Sequence, residues 1–248
     1  MSTNYIGTAG WSIPKAHSAK FPGKGTHLEK YSQLLQAVEV NSSFYRDHQE
    51  ATYYRWSYST PPEFRFSVKF PRRFTHEGKL SCTPEEAKNT LEPIFGLKEK
   101  LGVILVQLPP KLAFDLERAT AFFETIRSLY QGKLACEPRH PSWGDETTLN
   151  FFERFKISKV QADPEPCPAL AARLNNAGGF QYFRLHGSPE VYRSPYEPEF
   201  LESVARKIHA GRDWCIFDNT TFGHATENAL ELTQILRAAD GKSDDKVA

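Results

Sequence analysis

The residues able to do chemistry in this chain gather at the ends of short apolar runs. In AVEVN (37–41), Val38 and Val40 alternate with Glu39 and Asn41. Alternate residues of a β-strand point to opposite faces, so a carboxylate and an amide share one side while two valines pack behind. The same alternation sets Ser67 and Lys69 opposite Phe66 and Val68, and Gln107 opposite Ile104 and Val106. It sets Glu137 opposite Leu134 and Cys136, and Tyr182, Arg184 and His186 opposite Phe183 and Leu185. An eighth run ends in Asp218 and Asn219, and alternation alone does not fix which of the two turns inward. Both charge signs are present, Glu39 and Glu137 against Lys69 and Arg184, as burial requires, because an unpaired buried charge is costly. A strand leaving the core also ends in polar residues, and inward ion pairs can be purely structural. Five strands converging their polar ends favour a site.

Three chemistries fit that set. In a metal-free enzyme, Lys69, Arg139 and Arg184 would hold a carboxylate or phosphate, arginine being suited to bidentate contact. Glu39 or Glu137 would act as general acid or base with His186 as partner, and Asn41, Gln107 and Asn219 would fix hydroxyls or carbonyls. Lys69 could form a Schiff base if its pKa were depressed, but nearby glutamates are expected to raise it. In a metal-dependent hydrolase or nuclease acting on phosphodiesters, Glu39, Glu137, His186 and Asp218 would be ligands from separate strands. Against this stand the neighbouring cations, which compete for the carboxylates, and the absence of H-E-x-x-H. A non-catalytic ligand-binding or interaction protein needs only the pocket. The metal-free reading, with a small anionic or polyhydroxylated substrate and a hydrolase, lyase or isomerase reaction, is preferred; the sequence leaves any cofactor unknown.

Loops extend the candidate site. KFPRRFTHEGK (69–79) interleaves Lys69, Arg72, Arg73, His76 and Lys79 with Phe70 and Phe74, a pattern that suits an anion or a nucleic-acid strand as well as a solvated loop. EPRHPSW (137–143) adds Arg139, His140 and Trp143. Trp11, Phe44, Tyr45, Trp143 and Tyr196 are expected to rim the pocket.

The elements that must position these residues repeat one unit. Eight β-rich runs lie at 5–10, 37–41, 64–69, 102–107, 133–137, 158–163, 181–186 and 213–219. Helices are expected between most of them. Thr26 caps one carrying Leu28, Tyr31, Leu34, Leu35 and Val38; Thr83-Pro84 with Glu86 starts a second; Asp115 precedes a third. Others are expected over 147–155, 199–209 and 226–236, while the prolines of DPEPCPALAARLNNAGG (163–179) leave the sixth helical unit weak or irregular. Strands alternating with helices mean parallel strands joined by crossovers, and eight such units in 248 residues match a (β/α)8 TIM-type barrel, an α/β fold. No dinucleotide glycine motif G-x-G-x-x-G supports an open doubly wound sheet instead. One domain is expected over 1–240, with a polar tail over 241–248. Active sites of such barrels lie at the C-terminal ends of the strands, where the polar residues above would meet.

GTAGWS (7–12), EVNSSFYR (39–46), FSVKFP (66–71), VQLPP (106–110), CEPRHPSW (136–143), FRLHG (183–187) and FDN (217–219) occur in this order. Together they resemble the YecE-like family, a domain-of-unknown-function family of TIM-type barrels. The resemblance runs from about Gly7 to Asn219 and into the last helix. It implies the barrel and carries no reaction. The family pattern falls on Glu39, Asn41, Lys69, Gln107, Glu137, Arg139, Arg184, His186 and Asn219. Ala9 stands where the family often has serine, and Asp218 where it often has asparagine.

Composition bounds the rest. A net charge of +1 argues against a surface that coats nucleic acid. Cys82, Cys136, Cys167 and Cys215 are far apart, so no short-spaced zinc or redox pair exists; Cys136 and Cys215 lie in apolar runs and are expected to be buried. No secretion pattern opens the sequence and no apolar run is long enough for a membrane span. A small-molecule ligand, no membrane and a cytoplasmic, reduced setting are expected.

Overall fold

The computed structural model describes residues 4–167 and 175–244. All eight apolar runs form parallel strands: β1 (Tyr5–Thr8), β2 (Ala37–Val40), β3 (Arg65–Lys69), β4 (Leu101–Gln107), β5 (Lys133–Glu137), β6 (Ile157–Asp163), β7 (Tyr182–Leu185) and β8 (Trp214–Phe217). Their hydrogen-bonded order is β1-β8-β7-β6-β5-β4-β3-β2. The ends of that order meet at a bridge between Ala9 and Glu39, where the Gly10 N–H donates to the Glu39 carbonyl at 2.9 Å. The result is a nearly closed α/β barrel of TIM type.

Two residues make the β1–β2 closure. Gly7 lies so close to β2 that a Cβ there would sit 1.9 Å from the Ala37 carbonyl oxygen. The buried Tyr31 hydroxyl fills the adjoining gap in the ladder: it accepts from the Thr8 N–H at 2.9 Å and donates to the Ala37 carbonyl at 3.0 Å. Backbone groups that would be stranded at an unpaired seam are thus satisfied.

Among the described residues seven helices surround the strands: α1 (His27–Tyr31), α2 (Glu50–Tyr58), α3 (Pro84–Ile94), α4 (Leu116–Leu129), α5 (Glu146–Arg154), α6 (Pro198–Ala205) and α7 (His224–Asp244). Thr26 and Thr83 each form a full capping box with the glutamate three residues on, and the Asp115 carboxylate accepts from the Arg118 N–H at 2.9 Å. The first helix is shorter than its periodicity implies. It stops at Tyr31, and Val38 belongs to β2, where it registers with Phe66 of β3. Helix α2 was not expected, since its sequence EATYYRWSY buries only Tyr53 and Ser57 and carries little apolar periodicity. Helix α7 runs to Asp244, into the stretch expected as a tail. The middle of the weak sixth unit, residues 168–174, lies outside the described residues. No helix among the described residues is long and apolar enough to cross a membrane.

Alternation divides the core in two. Val38, Phe66, Ile104, Leu134, Cys136, Phe183 and Cys215 pack outward against the helices. Ala37, Val103, Leu105, Ala135, Val160, Tyr182, Trp214 and Ile216 fill the barrel. Each large apolar side chain so buried contributes about 1.5–3 kcal/mol before the entropy of ordering is counted. Above the inner apolar layer, toward the C-terminal strand ends, the inward residues turn polar.

Candidate functional site at the C-terminal mouth

Arg184 of β7 stands at the centre of the polar layer, completely buried. Its Nε and Nη2 donate to the two Glu39 oxygens at 3.0 and 2.8 Å, and Nη1 donates to Glu137 Oε2 at 3.0 Å. Nη2 also lies 3.0 Å from Asp218 Oδ2. Asp218 therefore faces inward and Asn219 outward, which settles the register that alternation left open. Tyr182, one pleat below Arg184, donates to Glu39 Oε2 at 3.0 Å, and its oxygen lies 2.8 Å from Ser67 Oγ. Three carboxylates around one guanidinium would leave an excess of negative charge, and the neighbours offset it.

His186 supplies part of that offset. Its Nε2 is 3.0 Å from Glu137 Oε1 and its Nδ1 is 3.1 Å from Asp218 Oδ2. Burial disfavours the charged ring, but Glu137 and Asp218 outweigh it and raise the pKa above the ordinary 6.5. Burial would also push the two acids up, yet Arg184 and His186 hold Glu137 well below the ordinary carboxylate range and Asp218 below it. Arg139 completes the shell of Glu137, donating from Nε and Nη2 to Oε1 at 3.1 and 2.9 Å. A cavity of about 150 Å³ opens onto Glu137, Arg139 and His186, walled by Pro164, Pro166 and Val191. Tyr192, in the loop after β7, stands beside Arg139 with its ring perpendicular to that of His186 at 5.7 Å.

Lys69 is placed differently. The Ser43 hydroxyl bonds its carbonyl at 2.7 Å, fixing the end of β3 against the loop after β2. Its Nζ donates to Asn41 Oδ1 at 3.2 Å and sits 4.1 Å above the Phe44 ring. Burial, aided by Arg184 and opposed by Glu39, Glu137 and Asp218, lowers its pKa from 10.5 to about 8. The nearby glutamates do raise it, as expected, but burial and Arg184 outweigh them, so the net shift is downward.

Inward alternation thus brought together Glu39, Asn41, Lys69, Glu137, Arg184 and His186, and Gln107 stands buried at the end of β4 in register with Glu137. The aromatic rim was largely misread. Trp143 is wholly buried, with its Nε1–H on the Leu112 carbonyl at 2.9 Å and its ring against Phe114. Tyr196 is buried on Phe200, its hydroxyl accepting from the Gly187 N–H and donating to Asp163 Oδ1. Asn219 faces α7, where its Nδ2 donates to Asn228 Oδ1 and the Ser194 carbonyl. Trp11 is half-buried edge-on to Trp56, and Tyr45 is exposed beside Phe44. In the basic segment, Arg72 pairs with Glu77 and Arg73 with Asp47 at the surface. Sequence reasoning missed Tyr192, which lies in a loop without periodicity. Arg184, expected to hold substrate, has its donors taken by Glu39, Glu137 and Asp218.

Comparison with known proteins agrees with this barrel. The family described as "Protein of unknown function DUF72" matches residues 5–247. The chain belongs to the DUF72 family. It is 29% identical over 171 residues to the UPF0759 protein YecE of Escherichia coli strain K12, a match covering 66% of this chain and 61% of that relative. It is 28% identical to the UPF0759 protein YunF of Bacillus subtilis strain 168, with 94% of each chain covered. Crystal structures of DUF72 family proteins superpose on nearly its whole length. One from Enterococcus faecalis V583 has a TM-score of 0.78 at 21% identity, covering 95% of this chain and 96% of its own. One from Thermotoga maritima MSB8 has 0.76 at 25% identity, covering 95% and 99%.

Proposed function

We propose that the chain is a metal-free enzyme acting on a small anionic substrate in the cavity above Glu137. The observation that carries this reading is the ring of Glu39, Glu137 and Asp218 around Arg184, with His186 bridging two of the three carboxylates. Glu39, Tyr182 and Arg184 lie beneath the cavity and position the groups that line it. Arg139 spends Nε and Nη2 on Glu137, Tyr192 borders the rest of its guanidinium, and the N–H groups left over face a ligand carboxylate or phosphate, a geometry guanidinium favours. His186, charged between two carboxylates, serves as proton donor. A proton held by a group titrating above its ordinary value is available at neutral pH, which general acid catalysis requires. Glu137, held ionised, stabilises positive charge on His186 rather than acting as a strong base.

The same geometry argues against the metal-dependent alternative. The carboxylates that would be ligands already bind Arg184, and a cation placed among them would face a guanidinium. Among the described residues no group of three or more His, Cys, Asp and Glu is arranged to hold a metal ion.

A thermal-shift screen in chelator, with small organic acids, phosphorylated sugars, nucleotides and short oligonucleotides, tests the reading. A ligand at 100 times its Kd adds about 2.7 kcal/mol, which raises Tm by several degrees. A shift from a small acid or sugar phosphate, lost in Arg139→Ala, is expected. Shifts from oligonucleotides alone, or none without a divalent metal, would overturn it.

A further inference from the structure

We infer that Lys69 is a covalent nucleophile, forming an iminium with the carbonyl carbon of a small oxo-acid whose carboxylate rests on Arg139. This deepens the proposed function and rests on it, since it names the substrate class of the same mouth.

Four observations converge on Lys69. It projects inward from the end of β3 and is almost entirely buried, yet no carboxylate among the described residues lies within ion-pair distance of it. Its Nζ instead meets a neutral amide oxygen, Asn41 Oδ1, and the face of Phe44. An aromatic face and an amide satisfy an amine without locking it in the ammonium form as a carboxylate would. The lowered pKa of about 8 agrees with that surrounding and leaves a reactive fraction of free amine near neutrality. Finally, the other basic groups of the mouth are committed: Glu137 and Asp218 are held ionised by their cations, and both His186 nitrogens are engaged. Lys69 ends β3 and Arg139 follows the end of β5, and only β4 stands between those two strands, so both cations belong to the same C-terminal mouth.

The step balances without any further reagent. The Lys69 ammonium gives up a proton, and Nζ forms a bond to the carbonyl carbon as the π pair moves onto oxygen. That oxygen takes up two protons, the equivalent of the two hydrogens the ammonium loses, and leaves as water. The product is a protonated imine, and its positive charge draws electrons from the adjacent carbon–carbon or carbon–hydrogen bond.

Glyoxylate, the smallest aldehyde acid, with cyanoborohydride is the probe. Reduction of the imine leaves a carboxymethyl group on the reacting lysine, located by peptide mass mapping of the intact folded protein. Lys69 is expected to be labelled on the order of tenfold faster at neutral pH than exposed lysines such as Lys24 and Lys88. Arg139→Ala should slow labelling at Lys69 and leave the surface lysines unchanged. Labelling of surface lysines with Lys69 unmodified overturns the inference. If an acid still gives an Arg139-dependent thermal shift in that case, the anion-site reading survives and only the covalent role falls. Wild-type protein carries the test, so a poorly folding Lys69→Met variant would not blunt it.

Discussion

A histidine with a carboxylate oxygen near each ring nitrogen can satisfy both only by donating twice, so the geometry of His186 is a statement about its charge. Linkage makes the statement measurable. A group whose folded pKa is raised above its unfolded value contributes stability that is fully present below the unfolded pKa, here about 6.5, and is lost as pH rises through the folded value. His186 should therefore lower the unfolding free energy of the wild-type chain from pH 6.5 upward, against a rise from His48 and His76, whose pKa values are lowered by burial, and His186→Asn should remove that fall and leave the rise. Denaturant melts from pH 6 to 8 read it, and an unchanged slope in the variant would count against a charged His186. The window stops at pH 8 because Lys69 acts with the opposite sign. Its folded pKa lies below 10.5, so between about 8 and 10.5 the unfolded chain binds more protons and stability rises with pH. At this scale the sequence was legible where strand alternation applied, at Glu39, Lys69, Glu137 and Arg184. It was not legible at Trp143 and Tyr196, because an aromatic ring in a loop looks the same whether it faces a ligand or plugs a gap beneath the loop.

The elements show the same division. Strands announced themselves through alternation, and α3 and α4 through Thr83 and Asp115, because capping and periodicity are local. Helix α2 buries too little apolar surface to leave a pattern, and only its packing against the neighbouring 95–100 turn fixes it: a Cβ on Gly96 would lie 2.8 Å from the Glu50 carbonyl. The joint between β1 and β2 is non-local in the same sense. No sequence rule says that a tyrosine hydroxyl 23 residues from Thr8 will stand in for a ladder hydrogen bond. Tyr31→Phe keeps the ring and strands the Thr8 N–H and the Ala37 carbonyl, a loss of about 1–3 kcal/mol. Chemical denaturation should find it, whereas a change within error would mean that the seam is held by the Ala9–Glu39 bridge alone.

Across the whole molecule, the barrel turns eight separate strand ends into one small volume, and that is why residues from Glu39 to Asp218 can form a single charge array. An array this deeply buried is a poor way to gain stability, since desolvation consumes most of the Coulombic gain and breaking one pair costs about 3–5 kcal/mol. On the proposed function, its use is to hold one proton where a cavity meets it. The most direct measurement is the ¹⁵N spectrum of His186 at pH 7 in histidine-labelled protein, assigned by His186→Asn. Two protonated ring nitrogens in the imidazolium range are expected. A neutral ring, with one bare nitrogen beside Glu137 or Asp218, would contradict that.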